Sequence, residues 1–401
     1  MVTHYQLDFS LGASRTGPRL RAGGVSHAGD VTSGEPRAAG RDRVHLITAA
    51  ELESTVRAIF TAAGCADEEA ALIARELVGA NLAGHDSHGV VRVPLYVDWM
   101  REGWVRAGQQ AEIVTDGGAF VVLDGHEGFG QTIAAQAVAL GIERASANGS
   151  CIVALRNSGH VGRVGAYAET AIAAGLVSIH FVNVAKSPLV APFGAVERRF
   201  STAPFAVGVP LPGRPVVLDF ATSLVAEGKV QVASYGGRPL PPDALIGPEG
   251  VPSDDPRLLY GDYGPTDLRR PGGGVGAIRA FGEHKGSGLA LMCELLAGAF
   301  TAGGCAGPLD GPRKGIANGM LSIYLSPAHF GTQAEFERIA REYLDWVLSA
   351  RPIDPAAPVL APGDPETATR EVRLAEGVPL PVNTWAAIRR TAEALGVATP
   401  D

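Results

Sequence analysis

Residues Ala83 to Tyr96, AGHDSHGVVRVPLY, place two histidines, an acid, a serine, an arginine and a tyrosine directly after a segment of helical pattern. A packed core tolerates such a density of polar groups only when each has a partner, so the stretch reads as one wall of an active site. His88 has the side chain suited to exchanging a proton near neutral pH, and Ser87 stands beside it to orient the ring or a substrate. Arg92 can hold a carboxylate by two parallel hydrogen bonds. Tyr96, four residues on, shares its face if a helix continues. Two readings compete with this one. Asp86 and Ser87 could simply cap a helix end beside a solvated His88, or His85, Asp86 and His88 could hold a metal ion, as in a metal-dependent hydrolase, although no further ligand is evident nearby.

Three more turns carry similar chemistry. Ser158 to Tyr167, SGHVGRVGAY, lies between a strand and a helix; its glycines let a ligand approach, the helix N-terminus suits a phosphate and Arg163 adds positive charge. In Leu218 to Ser223, LDFATS, Asp219 closes an apolar strand, where a carboxylate can orient a histidine or a ribose. In Glu283 to Gly288, EHKGSG, His284 and Lys285 precede an apolar segment whose N-terminus offers free N–H groups. The glycine patterns of the common nucleotide folds, G-x-G-x-x-G between a strand and a helix and GxxxxGK[ST], are missing, so a dinucleotide would bind outside Rossmann geometry.

The elements that must position these turns follow from pattern. Thr48 and Glu51 form a capping box ahead of Leu52, Val56, Ile59 and Phe60 at helical spacing, and Asp67 is expected to cap a second helix. Strands are predicted at FVVLDG from Phe120, CIVALRN from Cys151, LVSIHFVNV from Leu176, RPVVLDFAT from Arg214 and NGMLSIYLS from Asn318. Helices are expected over Thr132 to Asn148 and Gly165 to Ala174, each closed by a glycine. A segment from Ser287 to Thr301, apolar nearly all round, reads as a buried helix. Tyr235 to Gly276 reads as long loops, followed by an amphipathic helix over Glu335 to Leu348, a Pro-rich connector and a last helix from near Asn383. Strands interleaved with helices make the fold class α/β. Residues 1–44 read as a disordered extension rich in Gly, Arg, Ser and Ala.

With 401 residues, 46% of them apolar, the chain can bury a large core without disulfides. Cys65, Cys151, Cys293 and Cys305 are far apart and read as reduced thiols, not a disulfide framework or a zinc site. A net charge of -8 without a basic block argues against nucleic acid. With no apolar run long enough to span a bilayer and no leader pattern, a soluble, cytoplasmic protein is expected. Lys186, Lys229, Lys285 and Lys314 are the only lysines among 34 basic residues, so each either fills a role arginine cannot or survives by compositional drift.

Taken in order, AGHDSHG, NSGHVGR, VAPFG, LDFATS with GK shortly after, GVPSDDP, HKGSGLAL and PGDPE resemble the type-2 malate/L-lactate dehydrogenase family of NAD(P)-dependent oxidoreductases. ANLAGHDSHG, LGIERA, VSIHFV and MCELLAGA are most similar to its bacterial hydroxycarboxylate dehydrogenase branch. The resemblance implies a non-Rossmann central domain for NAD or NADP, inserted between mainly helical N- and C-terminal segments that form a second domain. The expected division is 45–118 plus 333–401 for the helical substrate and dimerisation domain, and 119–332 for the cofactor domain. It further implies a homodimer acting on a 2-oxo or 2-hydroxy acid, with cyclic imino acid (C=N) reduction as the alternative within the family.

By matching motifs, Gly162, Arg163, Val164, Val217, Leu218, Asp219, Phe220, Ala221, His284, Lys285, Asn318, Gly363, Asp364, Pro365 and Glu366 would line the cofactor. His88 would sit beside the nicotinamide, with Ser87, Arg92 and Tyr96 toward substrate. His88 is the preferred proton donor, His160 matches the family's proton acceptor, and Asp219 would orient cofactor or histidine. The chain departs from the family in Ser201-Thr202-Ala203-Pro204 for a usual G-T-N-P, Ala195 for glycine and Ser287 for tyrosine. Such changes would reshape the pocket or weaken cofactor binding, or mark an inactive relative.

Overall fold

Thr48 and Glu51 make the expected reciprocal cap. Thr48 Oγ1 accepts from Glu51 N at 3.2 Å, and the Glu51 carboxylate accepts from Thr48 N at 3.3 Å, opening α1 (Ala49–Ala62). The structure is a computed structural model and describes residues 44–234, 238–264, 269, 271–308 and 316–400. Asp67 does not cap α2 (Asp67–Leu82): Ala66 holds that position, and Asp67 is the first helical residue, paired with Arg57. An acid is favourable at either place, because both lie at the positive end of the helix dipole. Two 3-10 turns, Asp86–His88 and Val90–Arg92, then lead into α3 (Val93–Arg101), so the polar stretch is a folded turn and not one continuous helix.

The main sheet holds β1 (Glu112–Asp116), β2 (Phe120–Asp124), β3 (Ser150–Ser158), β4 (Val177–Ala185), β5 (Pro204–Val209), β6 (Val216–Ala221) and β7 (Ala317–Leu325), in spatial order β1-β2-β3-β7-β4-β5-β6. Only β2 and β3 run parallel; the other neighbours are antiparallel. Between β2 and β3 lies α4 (Gly130–Asn148), and between β3 and β4 lies α5 (Gly165–Ala173). The fold is thus α/β with a mixed sheet. Its core includes Val121, Leu123, Ile133, Val153, Leu155, Val182 and Met320. A second core joins α1, α2 and α3 to Trp385 and Ile388 near the C-terminus. Val44–Ile47 pairs antiparallel with Val378–Pro381, so the ends of the described chain meet in one small sheet.

After β6, α6 (Glu227–Ser234) packs its first turn against the Asp86–His88 turn. Within the span expected as loops, short strands Leu245–Ile246 and Pro252–Ser253 pair with each other, and Leu245–Ile246 pairs with Ala277–Arg279. The apolar segment begins earlier than expected, as α7 (His284–Cys293), and continues as a π-helical turn, Glu294–Ala299. It is not buried all round: Leu291, Met292, Leu295 and Phe300 are exposed, while Gly286, Ala290, Cys293, Glu294 and Ala297 face inward. The tail contains α8 (Gln333–Leu348), α9 (Asp364–Glu376) and α10 (Val382–Ala394). All four cysteines are free thiols. Lys314, and the expected extension apart from Val44, lie outside the described residues.

Candidate active site

The turn that carries His88 is fixed from below by Asn81, whose Oδ1 accepts from Val90 N at 2.8 Å and whose Nδ2 donates to Asp86 at 2.6 Å. Asp86 also pairs with Arg373 of α9, and His85 Nε2 lies 3.2 Å from Glu366. Asp86 therefore caps nothing, and two members of the conceivable metal triad, His85 and Asp86, are engaged by α9. Among the described residues no group of three or more His, Cys, Asp and Glu side chains is arranged to hold a metal ion.

Inside the turn, Ser87 Oγ is 3.0 Å from His88 Nδ1, and the His88 ring stacks on that of His160, centroids 5.5 Å apart and 17° from parallel. His160 Nδ1 lies 2.5 Å from the Tyr96 hydroxyl, which also accepts from Gln131 Nε2 at 3.4 Å. Arg92, 8% exposed, donates Nε to Ser87 O at 2.7 Å and lies 3.6 Å from Glu227 of α6. Gly228 makes this approach possible, since a Cβ there would come within 2.6 Å of Ser87 Cβ. His88, His160, Ser87, Arg92 and Tyr96, up to 73 residues apart in sequence, thus form one cluster.

Burial sets the electrostatics of the pair. It pushes His88 down to about 3, with Arg92, His85, Arg163 and Lys229 adding to the effect. It also holds His160 well below its usual value, again helped by Arg92 and His88. Both imidazoles are neutral at pH 7. Tyr96 is pushed up to about 12 by burial, against the opposing pull of Arg92 and the Gln131 hydrogen bond.

A second group adjoins the first. Asp219 does not touch a histidine: it accepts from Gly165 N at 2.8 Å at the start of α5 and lies 3.8 Å from Arg163. Burial raises its carboxyl, opposed by His85, Arg163 and the Gly165 N–H. Arg163 also pairs with Glu169 at 2.7 Å, but its Nε is buried without a hydrogen-bond partner. Val217 N donates to Pro362 O at 3.1 Å, which lays Gly363 against β6. Asp364 pairs with Arg214 and Glu366 with His85, with Pro365 in the first turn of α9. Val217 thus lies beside Gly363 at the start of α9, Leu218, Phe220 and Ala221 continue along β6, and the Gly165–Asp219 bond ties that strand to the turn Gly162 to Val164. Asn318 is buried at the sheet's centre, its Oδ1 accepting from Val161 N and its Nδ2 donating to Asn183 O.

His284 and Lys285 stand apart. Both are exposed at the start of α7, where His284 contacts the Phe193 ring, and no polar contact among the described residues joins them to the histidine pair. The departures are built into the structure. Ser287 Oγ accepts from Phe193 N, and Ser201 Oγ accepts from Val184 N and Ala203 N. Sequence reasoning passed over Gln131 and Glu227. The signal for Glu227 was its place two residues before Lys229 in the GK motif, whereas Gln131 gave none.

Two neutral imidazoles, a buried guanidinium and a phenol are thus gathered into one polar cluster of an α/β protein, a set of groups able to exchange a proton and to pair with an anion. By sequence the chain belongs to the malate/L-lactate dehydrogenase family, whose profile matches residues 47–389. It is 41% identical over 356 residues to hydroxycarboxylate dehydrogenase B of Escherichia coli K12, covering 88% of this chain and 95% of that one. Solved structures agree: malate dehydrogenase from Pyrococcus horikoshii superposes with a TM-score of 0.76 at 27% identity, covering 92% of this chain and 99% of that one. The delta1-piperideine-2-carboxylate reductase of Pseudomonas syringae gives a TM-score of 0.71 at 31% identity, covering 87% and 100%.

Proposed function

We propose that this oxidoreductase interconverts a 2-hydroxy acid and its 2-oxo acid with NAD or NADP, and that His160 is the group that moves the proton. Nicotinamide, when bound, supplies or takes the hydride. The observation that carries the reading is the His88–His160 stack with Arg92 beside it: a neutral ring placed to serve a carbonyl oxygen and a cation placed to hold the adjoining carboxylate. The geometry favours His160 over His88, because the Tyr96 hydroxyl fixes its Nδ1 and leaves Nε2 for substrate. His88 is tied to the Ser87 hydroxyl and serves as the stacking neighbour. Arg163 Nε, buried without a hydrogen-bond partner beside the start of α5, fits an anionic group of the cofactor. Gly162, Val164, the β6 residues and Gly363 to Glu366 would hold it there, with His284, Lys285 and Asn318 completing the set that the family motifs imply. Asp219 would act on the cofactor side, through α5.

The same proposal includes a cytoplasmic homodimer and a division into a cofactor lobe around the main sheet and a helical lobe joining both chain ends. Likeness to the piperideine carboxylate reductase keeps cyclic imino acids as the second substrate class. A panel of 2-oxo acids and cyclic imines, followed at the absorbance band of NADH and of NADPH, decides among these. We expect turnover of 2-oxo acids. Turnover of imines alone would replace the substrate class, and no turnover with either nucleotide would refute the reading. Sedimentation velocity reads the dimer.

A further inference from the structure

Tyr96 is 2% exposed, and the only acceptor within reach of its hydroxyl among the described residues is His160 Nδ1, at 2.5 Å. Its own oxygen already accepts from Gln131 Nε2 at 3.4 Å, while Gln131 Oε1 is buried and unpartnered. A buried hydroxyl proton left without an acceptor is costly, so the phenol donates to Nδ1 and the neutral ring carries its proton on Nε2. This arrangement creates a problem for the reaction proposed above, on which the inference rests. A neutral imidazole that gave up its Nε2 proton alone would become an imidazolate, a species too basic to form here. A second proton must reach Nδ1 in the same step.

We infer that Tyr96, His160 and Gln131 form a proton relay, in which the phenol of Tyr96 replaces the proton that His160 gives to substrate. In reduction, the oxygen of the former carbonyl gains a bond to hydrogen as the Nε2–H bond breaks. The Nδ1–H bond forms as the Tyr96 O–H bond breaks. His160 ends neutral in its other tautomer, and the negative charge brought by the hydride rests on the Tyr96 oxygen. There the Gln131 N–H stabilises it directly and Arg92 by charge; both act to lower the phenol's pKa against burial. An alkoxide is a much stronger base than a phenolate, so the transfer runs downhill. Reprotonation from water through Nε2 after product release resets the relay, and oxidation runs it backward. Gln131 acts through Tyr96 and is a positioning residue.

The ring keeps its place in Tyr96→Phe, because the phenyl still packs against Phe60, Phe129 and Trp99. The test is single-turnover reduction of the best 2-oxo acid by the full chain from pH 6 to 9. Across that range wild type should be nearly flat in the titration of the imidazole, whose charged neighbour is Arg92 and whose titratable neighbour, through the stack, is the neutral His88. In Tyr96→Phe the donor must be an imidazolium, so the rate should fall roughly 100-fold at pH 8 and climb as pH falls. Gln131→Leu should lose about tenfold, as expected for one hydrogen bond to a charged group. Gln131→Glu should lose more, since a carboxylate repels the phenolate. A proton inventory in mixed H2O and D2O should be curved for wild type and linear for Tyr96→Phe. Rates of Tyr96→Phe within threefold of wild type with an unchanged pH profile would overturn the relay. Independently, 15N spectra of His160, assigned by difference against His160→Gln, should show the proton on Nε2. A proton on Nδ1 would overturn the relay even if the protein turned over no 2-oxo acid, the result that separately refutes the proposed function.

Discussion

At His180, which lies fully buried between Ser178 and Ser322, burial pushes the imidazole down to about 3, and the same cause acts on His88 and His160. Each folded pKa is below the unfolded value near 6.5, so the unfolded chain binds more protons as the solution is acidified. The stability tied to these groups is therefore full above about pH 6.5 and is lost progressively below it. The urea midpoint should fall between pH 7 and pH 5, and His180→Gln should lessen that fall without touching the site. An equal fall in the variant would show that His180 is not a source. For activity, His160→Ala should lower hydride transfer by about 100-fold or more, and His88→Ala by less. The reverse order would return the donor role to His88. These residues were visible in the sequence as types, and their order of importance was not. It depends on Tyr96 meeting His160 across 64 residues, a contact no local spacing encodes.

Among the elements, the π-helical turn Glu294–Ala299 shows why a buried acid can be structural. The Glu294 side chain, 4% exposed, accepts from Ser201 N and Ala306 N, both at 2.9 Å, and from Asn183 Nδ2 at 3.0 Å. Asn183 in turn meets Asn318, which holds Val161 beside His160, so one acid braces the Ser201-Thr202-Ala203-Pro204 turn and the site loop together. Glu294→Ala should cost roughly 3 kcal/mol or more in urea titration, since it strands two buried N–H groups. A loss below about 1 kcal/mol would mean water takes its place. Helices whose apolar face is buried, such as α1 and α4, were legible from spacing, as were the central strands with their continuous β-branched runs. The elements missed include β5 (Pro204–Val209), an interior strand that opens on a proline and carries a glycine, and several that bury little of their own surface. Strand β1 is exposed at every residue, α9 buries none of its thirteen, and α7 starts at His284 because Glu283 turns the chain at a φ of 58°. Pairing and ion pairs hold them, and neither leaves a periodic trace.

For the molecule as a whole, closure of the chain on itself decides whether the site exists. The turn bearing His88 grows out of α2, whose core continues into Trp385 and Ile388 of α10, and α9 grips the same turn through Glu366 and Arg373. No helix among the described residues is long and apolar enough to cross a membrane. Trp385 is 1% exposed, and its indole N–H has no partner, so its contribution is packing and not a hydrogen bond. Trp385→Ala should therefore destabilise by about 3–5 kcal/mol and Trp385→Phe by much less, because the first opens a cavity between the two chain ends and the second keeps most of the volume. If unfolding is one cooperative transition, Trp385→Ala will lower the melting temperature reported by activity and by circular dichroism alike. If activity is lost at a lower temperature than the secondary structure, the helical region melts before the main sheet, and the histidine cluster is held by the less stable of the two cores.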